Sequence, residues 1–146
     1  MHTPRGVVST RAWRSKDRKA GKPTYAVPTR SRLRVVVVDD HPGFRSLMGE
    51  LLEIFGHEVV GEAHDRSSAR SVVDRCAPDV VFVDLGLGKE SGFDVAEDLS
   101  HAEPKPDVLL MSAEECPDPA RVKASGARAF YEKSRLARVD LATLGN

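Results

Sequence analysis

Cysteine is nearly absent from this 146-residue chain: Cys76 and Cys116 are its only two, and neither belongs to a CxxC pair or a ligand cluster. Two isolated thiols exclude a disulfide framework and read as reduced side chains in a cytoplasmic protein. No apolar stretch reaches the roughly 18 residues that a membrane span requires. The N-terminus also lacks the apolar core of a signal peptide. Tryptophan occurs once, as Trp13, so no tryptophan reports on the rest of the chain. The length suits one domain with a good core and some tail.

Net charge is also missing, since 22 Lys and Arg stand against 22 Asp and Glu. That balance hides an asymmetry. Residues 1–34 hold ten of the basic side chains and one acid, Asp17, which leaves twelve basic and 21 acidic side chains for residues 35–146. A basic arm thus precedes an acidic body. In the arm, Pro4, Gly6, Gly21, Pro23 and Pro28 interrupt the chain, and Val7, Val8, Trp13, Tyr25 and Val27 follow neither a helical nor a strand period. Residues 1–32 are therefore expected to be disordered. Such an arm can touch nucleic acid or an acidic partner weakly through phosphate-type contacts. It can equally be a solvated tail, or sequence upstream of the true start.

From Leu33 onward, strand and helix signals alternate. Val35–Val38 reads as a buried strand, and Phe44, Leu47, Met48, Leu51, Leu52 and Phe55 form one helical face begun by Pro42 and ended by Gly56. A strand is expected over Glu58–Ala63, a helix over 67–75 with Ala69, Val72, Val73 and Cys76 inward, and a strand ending at Asp84. A third helix follows Gly92, with Phe93, Ala96 and Leu99 inward. Then come a strand at Val108–Ser112, a weaker helix near Asp118–Ser125, a strand at Ala127–Tyr131 and a last helix lined by Leu136, Val139, Leu141 and Leu144. Five strands and five helices in alternation predict a doubly wound, flavodoxin-like α/β fold with a parallel sheet, its site at the C-terminal strand ends.

Those strand ends carry the chemistry. The first strand runs into Asp39-Asp40 and the third into Asp84, which implies a shared acidic pocket. Crowded carboxylates are costly without a cation, and hard oxygen donors select Mg²⁺. Ser112 closes the fourth strand, and Lys133 follows the fifth. His41 has no His or Cys partner at ligand spacing and reads as part of the helix start with Pro42.

The segments VVVVDDHPGFRSLM (35–48), PDVVFVDLGLGKESGFDVAEDL (78–99), VLLMSA (108–113) and GARAFYEKS (126–134) together resemble the receiver domain of two-component response regulators. The DDHP start is similar to the LuxR-type branch, which often carries a helix-turn-helix output domain. No output domain is expected after residue 146, and residues 33–146 are read as a stand-alone receiver. The resemblance implies that Asp84 is the phospho-acceptor and that Asp39, Asp40, Asp84 and the Gly86 backbone carbonyl hold Mg²⁺. It also implies that Lys133 pairs with Asp84 or its phosphate and that Ser112 supplies a hydroxyl donor. Phe130 occupies the place of an aromatic switch residue coupled to Ser112, reshaping the 108–144 face by population shift.

The partners implied are a sensor histidine kinase or phosphotransfer protein, and a downstream protein on the 108–144 face, with a homodimer as an option and no membrane. Such a domain catalyses only its own phosphorylation and dephosphorylation and is not a turnover enzyme. Two departures stand out: Leu87-Gly88-Lys89 replaces the usual Met-Pro-Gly, and Ser134 replaces a frequent proline. Losing that proline predicts a looser loop beside the site. The alternative reading is a phosphorylation-independent interaction module of the same fold. A haloacid-dehalogenase-like phosphohydrolase is disfavoured, because Gly86 stands where its acid/base aspartate would be.

Overall fold

A computed structural model describes residues 32–115 and 118–138 of the chain. Residues 1–31 of the expected disordered arm, Cys116, and the positions Val139, Leu141 and Leu144 of the expected last helix lie outside these residues.

In chain order the elements are β1 (Arg34–Val38), α1 (Pro42–Ile54), β2 (Glu58–Ala63), α2 (Arg66–Cys76), β3 (Val80–Asp84), the two-residue strands β4 (Gly86–Leu87) and β5 (Glu90–Ser91), α3 (Gly92–Leu99), β6 (Asp107–Ser112), α4 (Pro119–Ala124) and β7 (Ala129–Glu132). A 3₁₀ helix, Lys133–Arg138, begins where the fifth helix was expected. The main sheet has five strands in the order β2-β1-β3-β6-β7, every neighbouring pair parallel. This is the doubly wound arrangement expected from the alternation.

The apolar runs supply both faces of the sheet. Val36, Val38, Val81, Val83, Val108 and Leu110 point to the side covered by α2 and α3. Val35, Val37, Val80, Phe82, Leu109 and Met111 point to the side covered by α1. Alternate residues thus serve opposite cores, which is why these strands read as unbroken hydrophobic runs.

Helix α1 docks through Met48 and Leu52, with Phe44, Leu51 and Phe55 packed beside them. Leu47 was expected on that face but is 50% exposed, and Ile54 is 74% exposed. One helix seated on a twisted sheet buries a narrower stripe than the apolar pattern offers, and Leu47 falls on its margin.

Local signals set the helix ends. Asp65 Oδ1 accepts the Ser68 N–H at 2.9 Å while Ser68 Oγ accepts the Asp65 N–H at 3.2 Å, a reciprocal cap for α2. Ser91 caps α3, and Asp118 with Pro119 starts α4. Strand β7 begins two residues later than the sequence suggested, because Ala127 N–H donates to Ser125 Oγ within the turn (3.3 Å). The first bond to β6 comes from Arg128 N–H, to the Val108 carbonyl (2.8 Å).

The loop after β3 folds into a short hairpin. Gly86 and Leu87 pair antiparallel with Ser91 and Glu90 around a turn in which Gly88 takes a φ of +70°. Leu87 is buried in the α2/α3 core.

Candidate functional site

Four adjacent parallel strands end on the same edge of the sheet, and each brings a chemistry-bearing residue there. β1 runs into Asp39 and Asp40, β3 ends at Asp84, β6 ends at Ser112, and Lys133 follows β7 directly. Parallel strands and their crossovers force these ends together, so residues distant in sequence share one pocket.

Asp39 is fully buried. Its backbone is fixed on both sides: the N–H donates to the Ala63 carbonyl (3.0 Å), and the carbonyl accepts from Arg45 Nη1 (2.6 Å). Its Oδ1 accepts the His41 backbone N–H at 2.9 Å and faces His41 Nδ1 at 3.2 Å. Its Oδ2 lies 2.7 Å from Lys133 Nζ. That contact is an ion pair without hydrogen-bond alignment, so this buried oxygen has charge compensation but no directed donor.

Lys133 Nζ also reaches Asp84 Oδ2 at 3.3 Å and sits 4.2 Å from the centre of the Phe44 ring. One lysine therefore bridges two buried carboxylates and is backed by an aromatic face from α1.

Burial, and then the neighbouring charge of Asp39, push the Asp84 carboxyl above its ordinary range, against the opposing pull of Lys133 and of the Gly86 backbone N–H. Asp84 is held from behind by a close approach: a side chain at Gly92 would place its Cβ 2.8 Å from the Leu85 Cα and still closer to the Asp84 carbonyl oxygen. Glycine is required there by contact, independently of any backbone angle.

Asp40 is partly exposed, and its Oδ1 lies 3.0 Å from His41 Nδ1. One oxygen each from Asp39, Asp40 and Asp84 and a ring nitrogen of His41 all lie within 4.8 Å of one another. This set of carboxylate oxygens fits a divalent cation of the Mg²⁺ type. His41 starts α1 as expected, but its ring enters the acidic cluster, which its sequence spacing did not indicate. The only available signal was its adjacency to two acids.

Ser112 reaches the same edge, yet its hydroxyl accepts the Glu114 N–H (3.0 Å) and makes no hydrogen bond to the acids. Phe130 lies opposite Leu110 and packs half-buried against the α2/α3 core, while Tyr131 packs on the opposite face. Phe44, which the sequence offered only as a core residue of α1, is the site residue that periodicity concealed.

The chain matches the response regulator receiver domain family over residues 35–142. It is 32% identical over 122 residues to the gliding motility regulatory protein of Myxococcus xanthus, covering 82% of this chain and 16% of that protein. It is 29% identical over 100 residues to the transcriptional regulatory protein PdtaR of Mycobacterium tuberculosis, covering 68% of this chain and 49% of that one. The chain thus spans less than half the length of these curated relatives. Its fold superposes on a two-component response regulator of the LuxR family from Aurantimonas sp. SI85-9A1 with a TM-score of 0.69 and 27% identity, covering 74% of this chain and 79% of that one. The match spans every element from β1 to the 3₁₀ helix together with the acidic pocket, and the chain belongs to the response regulator receiver domain family.

Proposed function

We propose that this chain takes a phosphoryl group onto Asp84 from the phosphohistidine of a sensor histidine kinase or phosphotransfer protein. It then signals by protein–protein contact through the face formed by residues 108–144. The observation that carries this reading is Lys133 bridging buried Asp39 and Asp84 at 2.7 and 3.3 Å, with Asp40 alongside.

In the transfer, an Asp84 carboxylate oxygen attacks phosphorus, the phosphorus–nitrogen bond breaks, and the histidine imidazole leaves with the electron pair and takes up a proton. Asp39, Asp40, Asp84 and the Gly86 carbonyl would hold Mg²⁺, which would supply charge neutralisation for the phosphoryl oxygens. Lys133 holds Asp84 oriented before transfer and stays beside the phosphorylated side chain as a fixed positive charge. Ser112 exchanges its Glu114 contact for the phosphoryl oxygen, and the space it vacates lets the Phe130 ring shift toward the core. Residues 33–146 act as this domain and residues 1–32 as a basic arm outside it. The chain modifies only itself and turns over no external substrate.

The test is the intact mass after incubation with acetyl phosphate and Mg²⁺. One phosphoryl adduct, lost in Asp84→Asn and without Mg²⁺, is expected. Absence of both the adduct and a beryllofluoride complex would favour the phosphorylation-independent interaction module.

A further inference from the structure

Among the described residues, Leu47 and Ile54 are the large apolar side chains left in solvent, 50% and 74% exposed. They stand two helical turns, about 10 Å, apart on α1 and share one stripe with the partly buried Leu51 between them. On the solvent side of that stripe lie Glu50 and Glu53, both exposed and both without an ion-pair partner among the described residues. The last turn of α1 holds no basic residue, so Glu53 adds to the negative end of the helix dipole. The end of α2 is compensated instead: Arg75 sits in its last turn, and Arg34 Nη1 donates to the Cys76 and Ala77 carbonyls at 2.6 and 2.8 Å.

The chain preceding β1 carries the opposite charge and joins the domain at this end of α1. Leu33 N–H donates to His57 Nδ1 (3.2 Å), and the Leu33 carbonyl accepts the Glu58 N–H (2.8 Å), just beyond Ile54. Residues 1–31 hold eight Lys and Arg against Asp17 alone, and Tyr25 and Val27 are their large apolar side chains nearest the junction. An extended chain covers about 3.3 Å per residue, so Tyr25 can reach about 26 Å from Leu33, beyond the roughly 20 Å length of α1. The tether makes such a contact intramolecular, at an effective concentration on the order of millimolar.

We propose that residues 22–31 lie along the outer face of α1, with Val27 and Tyr25 covering Ile54 and Leu47 and with Arg30 and Lys22 paired to Glu53 and Glu50. Exposed ion pairs are individually weak and screened by salt; the tether and the apolar cover let them act together. The contact calls on no residue of the acidic pocket, so it stands or falls separately from phosphorylation of Asp84.

The experiment is paramagnetic broadening of amide resonances in the full chain, with a nitroxide on Thr24→Cys and with Cys76→Ser and Cys116→Ser leaving that thiol alone. Asp79 is the internal control, because its carboxylate accepts the Arg34 N–H at 2.8 Å and an undirected arm sweeps past it. Broadening at Leu47, Leu51 and Ile54 is expected to exceed that at Asp79 by about three-fold or more, as a held contact requires. Raising the salt to about 0.5 M, or substituting Glu50→Gln with Glu53→Gln, should reduce the α1 broadening about two-fold or more. Equal or greater broadening at Asp79 overturns the proposal, as does α1 broadening indifferent to both salt and substitution. Mixing spin-labelled chain with isotope-labelled chain that carries no nitroxide tests for a second copy, and α1 broadening of full strength in that mixture also overturns it.

Discussion

Replacing Asp84 by Asn should stabilise the protein when no divalent cation is present. The Asp84 carboxylate is buried, and one of its oxygens stands no more than 4.8 Å from an oxygen of Asp39 and one of Asp40. At an effective dielectric constant of about 20, the pair with buried Asp39 repels by at least about 3.5 kcal/mol, and solvent-screened Asp40 adds a smaller amount. Lys133, 3.3 Å away, attracts by about 5 kcal/mol on the same scale. The Coulomb terms nearly cancel, so the cost of desolvating Asp84 decides the sign, in accord with burial as the main cause of its raised pKa. Asn keeps the volume and removes the charge, which should add about 1–3 kcal/mol. In urea this is a midpoint rise of about 1 M. With Mg²⁺ present, the native chain gains binding free energy that the variant largely lacks, and the difference should shrink or reverse.

The pH dependence carries the same sign. Because Asp84 titrates above its ordinary value near 3.8 in the folded state, its penalty is absent below that value, grows as pH rises from there, and is complete once pH passes the raised one. The advantage of Asp84→Asn should therefore fade as pH falls toward 4. A metal-free variant with an unchanged or lower midpoint at pH 7 would refute the reasoning, because Lys133 would then compensate the pocket fully.

Other perturbations separate the parts of the structure. Lys133→Met leaves Asp39 and Asp84 without their shared cation and should cost about 3–5 kcal/mol in metal-free urea unfolding, part of which Mg²⁺ restores. Gly92→Ala drives a Cβ into the backbone at Asp84 and Leu85 and should cost about 1–3 kcal/mol while slowing adduct formation, whereas Gly43→Ala meets nothing within 4 Å and should be neutral to slightly stabilising. On α1, Leu52→Ala should cost about 2–5 kcal/mol, and Leu47→Ala, at a half-exposed side chain, under about 1 kcal/mol; thermal unfolding of the two variants checks the contrast.

The fold was legible because its signals were redundant. Val35–Val38 and Val80–Val83 could be buried strands on composition alone, and α1 between them came with Pro42 in its first turn and Gly56 at its end. Strand order then places Asp39, Asp40, Asp84, Ser112 and Lys133 on one edge, since parallel strands joined by crossovers all end on the same side. Backbone topology alone assembles that part of the site. Where local chemistry competes with periodicity, the reading is less exact. The Ser125 hydroxyl holds the turn and delays β7, and curvature leaves Leu47 outside the stripe to which its spacing assigned it.

What topology does not fix is where a side chain turns once its Cα is placed, and the site's two unforeseen members are both of this kind. Phe44 occupies a core position of α1 by period, yet its ring meets Lys133, a residue 89 positions later whose path depends on the whole sheet. His41 follows two acids and looks like a helix-start residue. Only the bond from its N–H to Asp39 and the onset of α1 at Pro42 set its exposed ring against Asp39 and Asp40. Sequence patterns thus identify the residues delivered by strand ends. Residues delivered by rotamers, such as Phe44 behind Lys133 and His41 beside Asp39 and Asp40, emerge only with coordinates.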